Sequence, residues 1–272
     1  MRLEPGQVAV VTGAASGIGR ALADTFASRS LHVVIADVEV EPLRVAAEEI
    51  RAANDVDVLD VAVDVTDADA VLRLRDAVLD RFGRVDVLCN NAGVVGPRVP
   101  TWQQRPEDWT WIVDVNLWGV VHGLAAFLPL LVEADRGHVV NTASIAGLVP
   151  VPGGGNAPYA ATKYAVVGLT ETLAIELAEH APGVHVTVLC PGPVATRIYE
   201  AERNRPAALR GSGAAPQPLA PAFAHGWPSM PPLAVAEQVL DAIERERLFV
   251  VPSPETVEDI RARTARLDAD LP

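Results

Sequence analysis

The feature of this 272-residue sequence that most constrains its fold is the alternation of short apolar runs with longer helical patterns. Most of these runs are continuously apolar rather than alternating, which is typical of parallel strands buried on both faces. The predicted strands are 7–12, 31–36, 56–63, 85–89, 137–141, 184–190 and 248–251.

The segments between the strands carry helical periodicity. Repeated strand–helix units predict an α/β fold with one doubly wound domain over 1–272, in which about seven parallel strands are flanked by helices on both faces. Seven prolines between 205 and 232 interrupt this order, and regular structure resumes afterwards. We therefore expect a substrate loop or lid at about 195–232. The predicted helices are 18–29, 41–53, 68–82, 107–131, 159–179, 234–245 and 255–267.

Composition excludes several classes of partner. The net charge of −13 disfavours nucleic acid. No signal peptide is visible, and the longest apolar stretch, Leu117 to Val132, is shorter than the roughly 18 residues of a membrane span. Two cysteines are too few for a disulfide framework, and no histidine has metal-ligand spacing. We expect a cytoplasmic protein without a metal site.

A glycine-rich turn joins the first strand to the first helix. Glycines at such a turn permit positive φ angles and close backbone approach, and a helix N-terminus offers free N–H groups to a pyrophosphate. A tight turn without a ligand is the alternative, but the flanking strand and helix favour a dinucleotide site. The residues concerned are Gly13, Ser16, Gly17, Ile18 and Gly19.

Asp37 ends the second predicted strand. A carboxylate there can accept hydrogen bonds from the adenosine ribose and repels a 2′-phosphate. Because Val38 and Glu39 supply no positive charge, NAD is favoured as the cofactor, with NADP as the alternative. A helix N-cap is the other interpretation of Asp37.

Two further strand ends carry candidate cofactor residues. Asp64 and Val65 follow the third strand, where Asp64 either reaches the adenine amino group or caps the next helix. Small and amide side chains after the fourth strand permit close contact with a cofactor. These are Asn91, Ala92 and Gly93.

The strongest chemical signal is the pair Tyr159 and Lys163. Their four-residue spacing places both on one helix face. An ammonium beside a phenol favours the phenolate, so we expect a tyrosine pKa lowered towards working pH, as a general acid/base requires. A surface Tyr–Lys pair is the alternative, but Ser144 after the fifth strand and Asn116 within an apolar helix favour a site.

Together these motifs resemble the short-chain dehydrogenase/reductase family over roughly residues 5–200. The shared features are the glycine turn, the acidic end of strand two, Asn-Asn-Ala-Gly, the helix asparagine, the serine, Tyr-x-x-x-Lys and a Pro-Gly-x-Val-x-Thr segment. That last segment supplies Pro191, Gly192, Val194 and Thr196.

The resemblance implies a Rossmann-type oxidoreductase that exchanges a hydride between NAD(P) and a secondary alcohol or ketone. Tyr159 would be the general acid/base, and Lys163 would lower its pKa and bind the nicotinamide ribose. Ser144 would hold the substrate oxygen, Asn116 would hold a water linking Lys163 to solvent, and Thr196 would anchor the carboxamide.

The resemblance also implies a homotetramer or homodimer, with helices 107–131 and 159–179 meeting their copies. The Pro-, Ala- and aromatic-containing loop suggests an apolar substrate. An NADP-preferring carbonyl reductase and a non-catalytic nucleotide sensor are the alternatives, and the second is disfavoured because all four catalytic positions are filled.

Overall fold

Seven parallel strands form a single twisted sheet in the computed structural model, which describes residues 1–151, 153–210 and 228–272. The strand order is β3-β2-β1-β4-β5-β6-β7, which confirms the predicted doubly wound fold. The order reverses between β1 and β4, and ligands bind at such a switch point. The strands are β1 (Val8–Thr12), β2 (His32–Asp37), β3 (Val58–Ala62), β4 (Val87–Asn90), β5 (Gly137–Thr142), β6 (Val184–Leu189) and β7 (Phe249–Val250).

Helices cover both faces of the sheet, and each face has its own apolar cluster. Phe26, Leu43 and Val239 pack on one face, and Leu74, Phe127 and Leu177 pack on the other. The helices are α1 (Gly17–Ser28), α2 (Val40–Ala53), α3 (Ala68–Phe82), α4 (Pro106–Val113), α5 (Gly119–Glu133), α6 (Ala157–His180), α7 (Pro232–Glu244) and α8 (Val257–Asp270).

The single long helix predicted over 107–131 is interrupted by one π-helical turn, Asp114–Trp118. The turn joins α4 to α5 without a break in the helical path. Such turns are rare and frequently lie at functional sites. Hydrophobic periodicity does not reveal one inserted residue, and therefore the sequence predicts an uninterrupted helix here.

The helical segment Pro106–Glu133 is, among the described residues, the one that is long and apolar enough to cross a membrane, and its most apolar 18-residue window has a mean hydropathy of 1.8. It is longer than the apolar stretch on which the sequence-based expectation rested. A core helix of a soluble protein has the same character. Phe127 and Leu131 lie in the apolar cluster on one face of the sheet, and α5 packs on β4 and β5, as a core helix does.

The predicted substrate loop at 195–232 is closed at its base. Val194 and Met230 form a parallel β-bridge, and Ala195 N–H donates to the Met230 carbonyl at 2.9 Å. Residues 197–210, here called the strap, leave this base and carry two short 3-10 helices, Ile198–Asn204 and Ala207–Leu209. Residues 211–227 of the predicted loop lie outside the described part of the chain.

A buried histidine in the sheet makes stability depend on pH. His138 is fully buried, and its Nε2 lies 2.7 Å from the Thr187 hydroxyl, which itself donates to the Arg247 carbonyl. Nε2 must therefore be the donor, and the unprotonated Nδ1 has no partner. Burial, with smaller contributions from His185 and the N-terminal ammonium, lowers the pKa of His138 to about 3.

We expect the free energy of unfolding to fall as the pH drops below about 6.5. In this range His138 of the unfolded chain, with its ordinary pKa, binds a proton, whereas native His138, with its lowered pKa, stays neutral. At pH 5 this costs about 2 kcal/mol. Denaturant unfolding between pH 7 and 5 should show a shallower decline for His138→Gln. The exposed His180→Gln is the matched control, and equal slopes in all three proteins would contradict the assignment.

Candidate active site

The glycine turn brings three chain segments into close contact. Gly13 has φ +65°, and a Cβ there would lie 2.8 Å from the Ala92 Cα. A Cβ on Gly19 would lie 2.2 Å from the Gly13 carbonyl oxygen. Helix α1 begins at Gly17 with Ser16 as an N-cap that makes no side-chain hydrogen bond. The first-turn N–H groups of α1 are therefore available to an anion.

Asn91 fastens the end of β4 to this turn. Its Nδ2 donates to the Thr12 and Gly13 carbonyls at 3.0 and 3.3 Å, and its Oδ1 accepts from the Thr142 hydroxyl. The Thr12 hydroxyl accepts from the N–H groups of Asn91 and Ala92. These hydrogen bonds thus connect the carboxyl ends of β1, β4 and β5 beside the start of α1.

Asp37 stands at the end of β2, beside the glycine turn. One carboxylate oxygen accepts from Ala15 N–H at 3.0 Å and the other from Glu39 N–H at 3.0 Å. Burial raises the pKa of Asp37, and these hydrogen bonds oppose the rise. The side chain is oriented across the strand end instead of capping α2, whose N-cap is Glu39.

Asp64 makes a local turn after β3. Its Oδ1 accepts from both the backbone N–H and the hydroxyl of Thr66. Asp67, not Asp64, caps α3. The side chain of Asp64 is exposed, whereas Val65 is buried with its carbonyl 2.9 Å from His122 Nδ1.

Lys163 is almost fully buried, and its ammonium donates to the Thr142 carbonyl at 2.8 Å. Its Nζ lies 5.5 Å from the Tyr159 ring centroid, so the two side chains share one helix face as predicted. Burial lowers the pKa of Lys163 to about 8. A Cβ on Gly93 would lie 3.6 Å from this Nζ, which places the segment after β4 against the pair.

The Tyr159 phenol does not have the lowered pKa that the sequence led us to expect. Burial raises the pKa of Tyr159, and a hydrogen bond with Ser144 offsets only part of the rise. The expectation is wrong for this structure because desolvation of the phenolate outweighs what favours it. At neutral pH the side chain is therefore a phenol, the form that can donate a proton.

Ser144 lies directly after β5, and its hydroxyl donates to the Pro191 carbonyl at 3.4 Å and accepts from Ala146 N–H at 3.1 Å. The next segment runs through the consecutive left-handed residues Gly153, Gly154, Gly155 and Asn156. Glycine adopts this conformation freely, and asparagine is one of the few other residues that occupy it. This turn leads directly into α6, whose first turn contains Tyr159.

Asn116 occupies the centre of the π-helical turn and is completely buried. Its Oδ1 accepts from Val94 N–H at 2.8 Å, and its Nδ2 donates to the Val94 carbonyl at 2.9 Å. The amide also lies 3.4 Å from the Thr162 hydroxyl. Asn116 thus joins the segment after β4 to α6, and its expected part in a water relay stays a prediction.

The segment after β6 lies along the same edge. Pro191 accepts from Ile145 N–H, and Gly192 N–H donates to the Ser253 hydroxyl at 3.2 Å. A Cβ on Gly17 would lie 3.0 Å from Cγ2 of Thr196. Thr196 therefore packs against the start of α1, and Val194 forms the base of the substrate loop.

An apolar wall stands beside Tyr159. Val94, Trp111, Ile112 and Ala201 form a buried cluster, with Tyr159 packed against it. Other members at its margin are Val115 and Leu209. The wall joins α4 to the strap.

A buried arginine, which the sequence analysis did not single out, fastens the strap to this wall. The Arg205 side chain has no exposed surface, and its guanidinium lies 4.4 Å from the Trp111 ring centroid. Its Nη2 is 2.7 Å from the equally buried Asp108 carboxylate, an ion-pair distance without hydrogen-bond alignment. Burial alone would raise the pKa of Asp108, but hydrogen bonds with Arg105 and the adjacent positive charge of Arg205 bring it below its ordinary value.

Comparison with known proteins agrees with this geometry. The family model described as short chain dehydrogenase matches residues 7–207. A Streptomyces avermitilis 1-deoxy-11-beta-hydroxypentalenate dehydrogenase is 44% identical over 209 residues, which is 75% of either chain. A Lactiplantibacillus plantarum CLA biosynthesis dehydrogenase/reductase is 32% identical over 274 residues, covering 97% of this chain and 94% of that one.

Solved structures give the same result. A Burkholderia phymatum short chain dehydrogenase/reductase in complex with NAD superimposes with a TM-score of 0.91 at 36% identity, covering 100% of this chain and 98% of that one. The sheet order, the site geometry and these matches agree. The chain belongs to the short-chain dehydrogenase/reductase family, whose members are NAD(P)-dependent oxidoreductases acting on CH–OH groups.

Proposed function

We propose that this protein is an NAD-preferring dehydrogenase that interconverts an apolar secondary alcohol and its ketone. The observation that carries the proposal is the convergence of Tyr159, Lys163 and Ser144 beside the glycine turn at the sheet's switch point. The bound nicotinamide would supply or accept the hydride, which is chemistry that the protein itself lacks.

The side chains would divide the remaining work. As a phenol, Tyr159 would protonate the carbonyl oxygen during reduction, and as the phenolate it would accept the hydroxyl proton of the alcohol during oxidation. Ser144 donates a hydrogen bond to the same substrate oxygen as charge develops on it. Lys163 holds positive charge beside the phenol, and Asn116 keeps the segment after β4 against Lys163.

The residues of the cleft fit a dinucleotide. The uncapped start of α1 and the Gly13 and Gly19 contacts, which leave no room for side chains, support pyrophosphate binding by Gly13, Ser16, Gly17, Ile18 and Gly19. On the adenosine side we assign Asp37, Asp64 and Val65. On the nicotinamide side we assign Asn91, Ala92, Gly93, Tyr159, Lys163, Pro191, Gly192, Val194 and Thr196.

The preference for NAD is proposed from Asp37. Its carboxylate is oriented by two backbone N–H groups at the end of β2, ready to accept from ribose hydroxyls. A 2′-phosphate placed there would meet that negative charge at close range. The NAD complex of the Burkholderia phymatum relative agrees with this choice.

The apolar wall of Val94, Trp111 and Ile112 supports an apolar substrate. Two relatives agree with this proposal, namely the 1-deoxy-11-beta-hydroxypentalenate dehydrogenase and the CLA biosynthesis dehydrogenase/reductase. A panel of secondary alcohols with NAD, followed by nicotinamide absorbance, tests this proposal. We expect turnover of cyclic and long-chain secondary alcohols, and turnover confined to primary alcohols would contradict it.

We also propose that the chain is a single domain over 1–272 that works in the cytoplasm as a homodimer or homotetramer.

The proposed assembly rests on an apolar surface. Helix α5 and its neighbour α6 present an outward apolar groove beside the half-exposed Trp118. A second copy of the same face would cover this groove. The groove is lined by Val121, Leu124, Ala125, Leu128, Pro129, Val132 and Leu169.

Light scattering at micromolar concentration should therefore give a multiple of 28.8 kDa. Ala125→Glu places one carboxylate from each copy in the shared face, and we expect it to reduce the mass to that of one chain. Ala262→Glu, on the exposed surface of α8, is the matched control. A monomeric mass for the unmodified protein would contradict the proposed assembly.

A further inference from the structure

The strap brings an arginine to the adenosine end of the cleft. Arg203 lies 164 residues from Glu39 in sequence, yet its Nε and Nη2 donate to the two Glu39 carboxylate oxygens at 2.9 and 2.6 Å. The two side chains are only 26% and 16% exposed. This fork-on-carboxylate geometry is the strongest form of a side-chain ion pair.

Glu39 connects this ion pair to Asp37. The backbone N–H of Glu39 donates to one Asp37 oxygen, while the Glu39 side chain holds Arg203. The guanidinium therefore stands in the charge field of both carboxylates. Two carboxylates and one guanidinium leave one net negative charge at the end of β2.

The neighbouring cations have other partners. Arg20 pairs with Asp24 and Glu49, and Arg197 pairs with Glu200. The segment 211–227 contains no lysine or arginine in its sequence. Arg203 is thus the cation whose release would change the charge beside Asp37.

We propose that Glu39 is a second determinant of cofactor selectivity, acting by neutralising Arg203. This inference rests on the proposed use of NAD. With Glu39 in place, removal of Asp37 takes away a repulsive charge but frees no cation. With both carboxylates removed, Arg203 becomes a cation available to a 2′-phosphate, whose recognition suits a guanidinium.

The test is a set of binding titrations with NADH and NADPH, followed by quenching of tryptophan fluorescence. The proteins are the unmodified chain, Asp37→Ser, Glu39→Gln, the double variant and the double variant with Arg203→Met. The measured quantity is the ratio of the NADPH and NADH dissociation constants. A thermal midpoint for each protein confirms that it is folded.

We expect Asp37→Ser to narrow the preference for NADH and Glu39→Gln to change it little, because Asp37 remains. In the double variant, the shift of this ratio towards NADPH should be about tenfold larger than the product of the shifts in the two single variants. Tenfold is about the value of one charge-assisted hydrogen bond. Arg203→Met should remove this excess. The matched control replaces Glu39→Gln with Glu41→Gln, an exposed carboxylate paired with Arg44, and should give no excess.

Three results would each overturn the inference. The first is a double variant whose shift in the ratio equals the product of the single shifts, the second is an excess that remains after Arg203→Met, and the third is an equal excess with Glu41→Gln. If the unmodified protein still prefers NADH, such results leave the proposed function intact. An unmodified protein that binds neither nucleotide, or that binds NADPH more tightly, overturns the proposed cofactor and the selectivity role of Glu39 together.

Discussion

Tyr159→Phe is expected to lower kcat by about 10²- to 10⁴-fold, the contribution of a positioned general acid/base. The substitution removes the hydroxyl that donates to the substrate oxygen and leaves the ring packed against the apolar wall. NADH affinity should stay nearly unchanged, because the glycine turn and Asp37 are untouched. Steady-state kinetics and NADH titration on the same preparation separate these two effects.

Tyr164→Phe is the matched control, since it removes a hydroxyl from the next tyrosine of α6 and keeps the ring beneath Arg263. It should retain the kcat of the unmodified protein. Undiminished kcat in Tyr159→Phe would remove the phenol from the mechanism. Undiminished kcat together with a large loss of NADH affinity would instead assign Tyr159 to cofactor binding alone.

Arg205→Met is expected to lower the free energy of unfolding by about 3–5 kcal/mol, because it leaves the buried Asp108 carboxylate without its nearest cation. Because Arg105 remains 3.4 Å from Asp108, we expect the loss of stability to lie near the lower end of this range. The strap also loses its contact with Trp111. Denaturant unfolding measures the loss.

The double variant Arg205→Met with Asp108→Leu should be more stable than Arg205→Met, because replacing both charges with apolar groups removes the unpaired carboxylate. Arg197→Met breaks an exposed ion pair on the same strap and should cost less than about 1 kcal/mol. Equal costs for Arg197→Met and Arg205→Met would show that the buried pair adds no stability.

The fold and the catalytic pair are predictable because their signals are local. Continuous apolar runs identify the buried parallel strands, and the four-residue spacing places Tyr159 and Lys163 on one face of α6. The glycine turn is equally local at Gly19, where a Cβ would meet the Gly13 carbonyl oxygen of the same turn. Each of these inferences needs only neighbouring residues.

The remaining features depend on contacts between distant residues. Arg203 pairs with Glu39, and Arg205 pairs with Asp108, across separations that no periodicity records. The raised pKa of Tyr159 follows from burial, which a sequence does not quantify. These features all lie where the strap meets the cleft, and the strap has no regular pattern in sequence.

The preference for NAD at the adenosine site is the central claim, and parallel titration of the unmodified protein with NADH and NADPH tests it most directly. Tryptophan quenching reports protein occupancy, and nicotinamide fluorescence reports the bound ring. The account predicts that NADH binds at least about tenfold more tightly than NADPH, because the 2′-phosphate of NADPH would lie beside the Asp37 carboxylate. Tighter binding of NADPH would contradict it and would mean that Arg203 is already available to a 2′-phosphate in the unmodified protein.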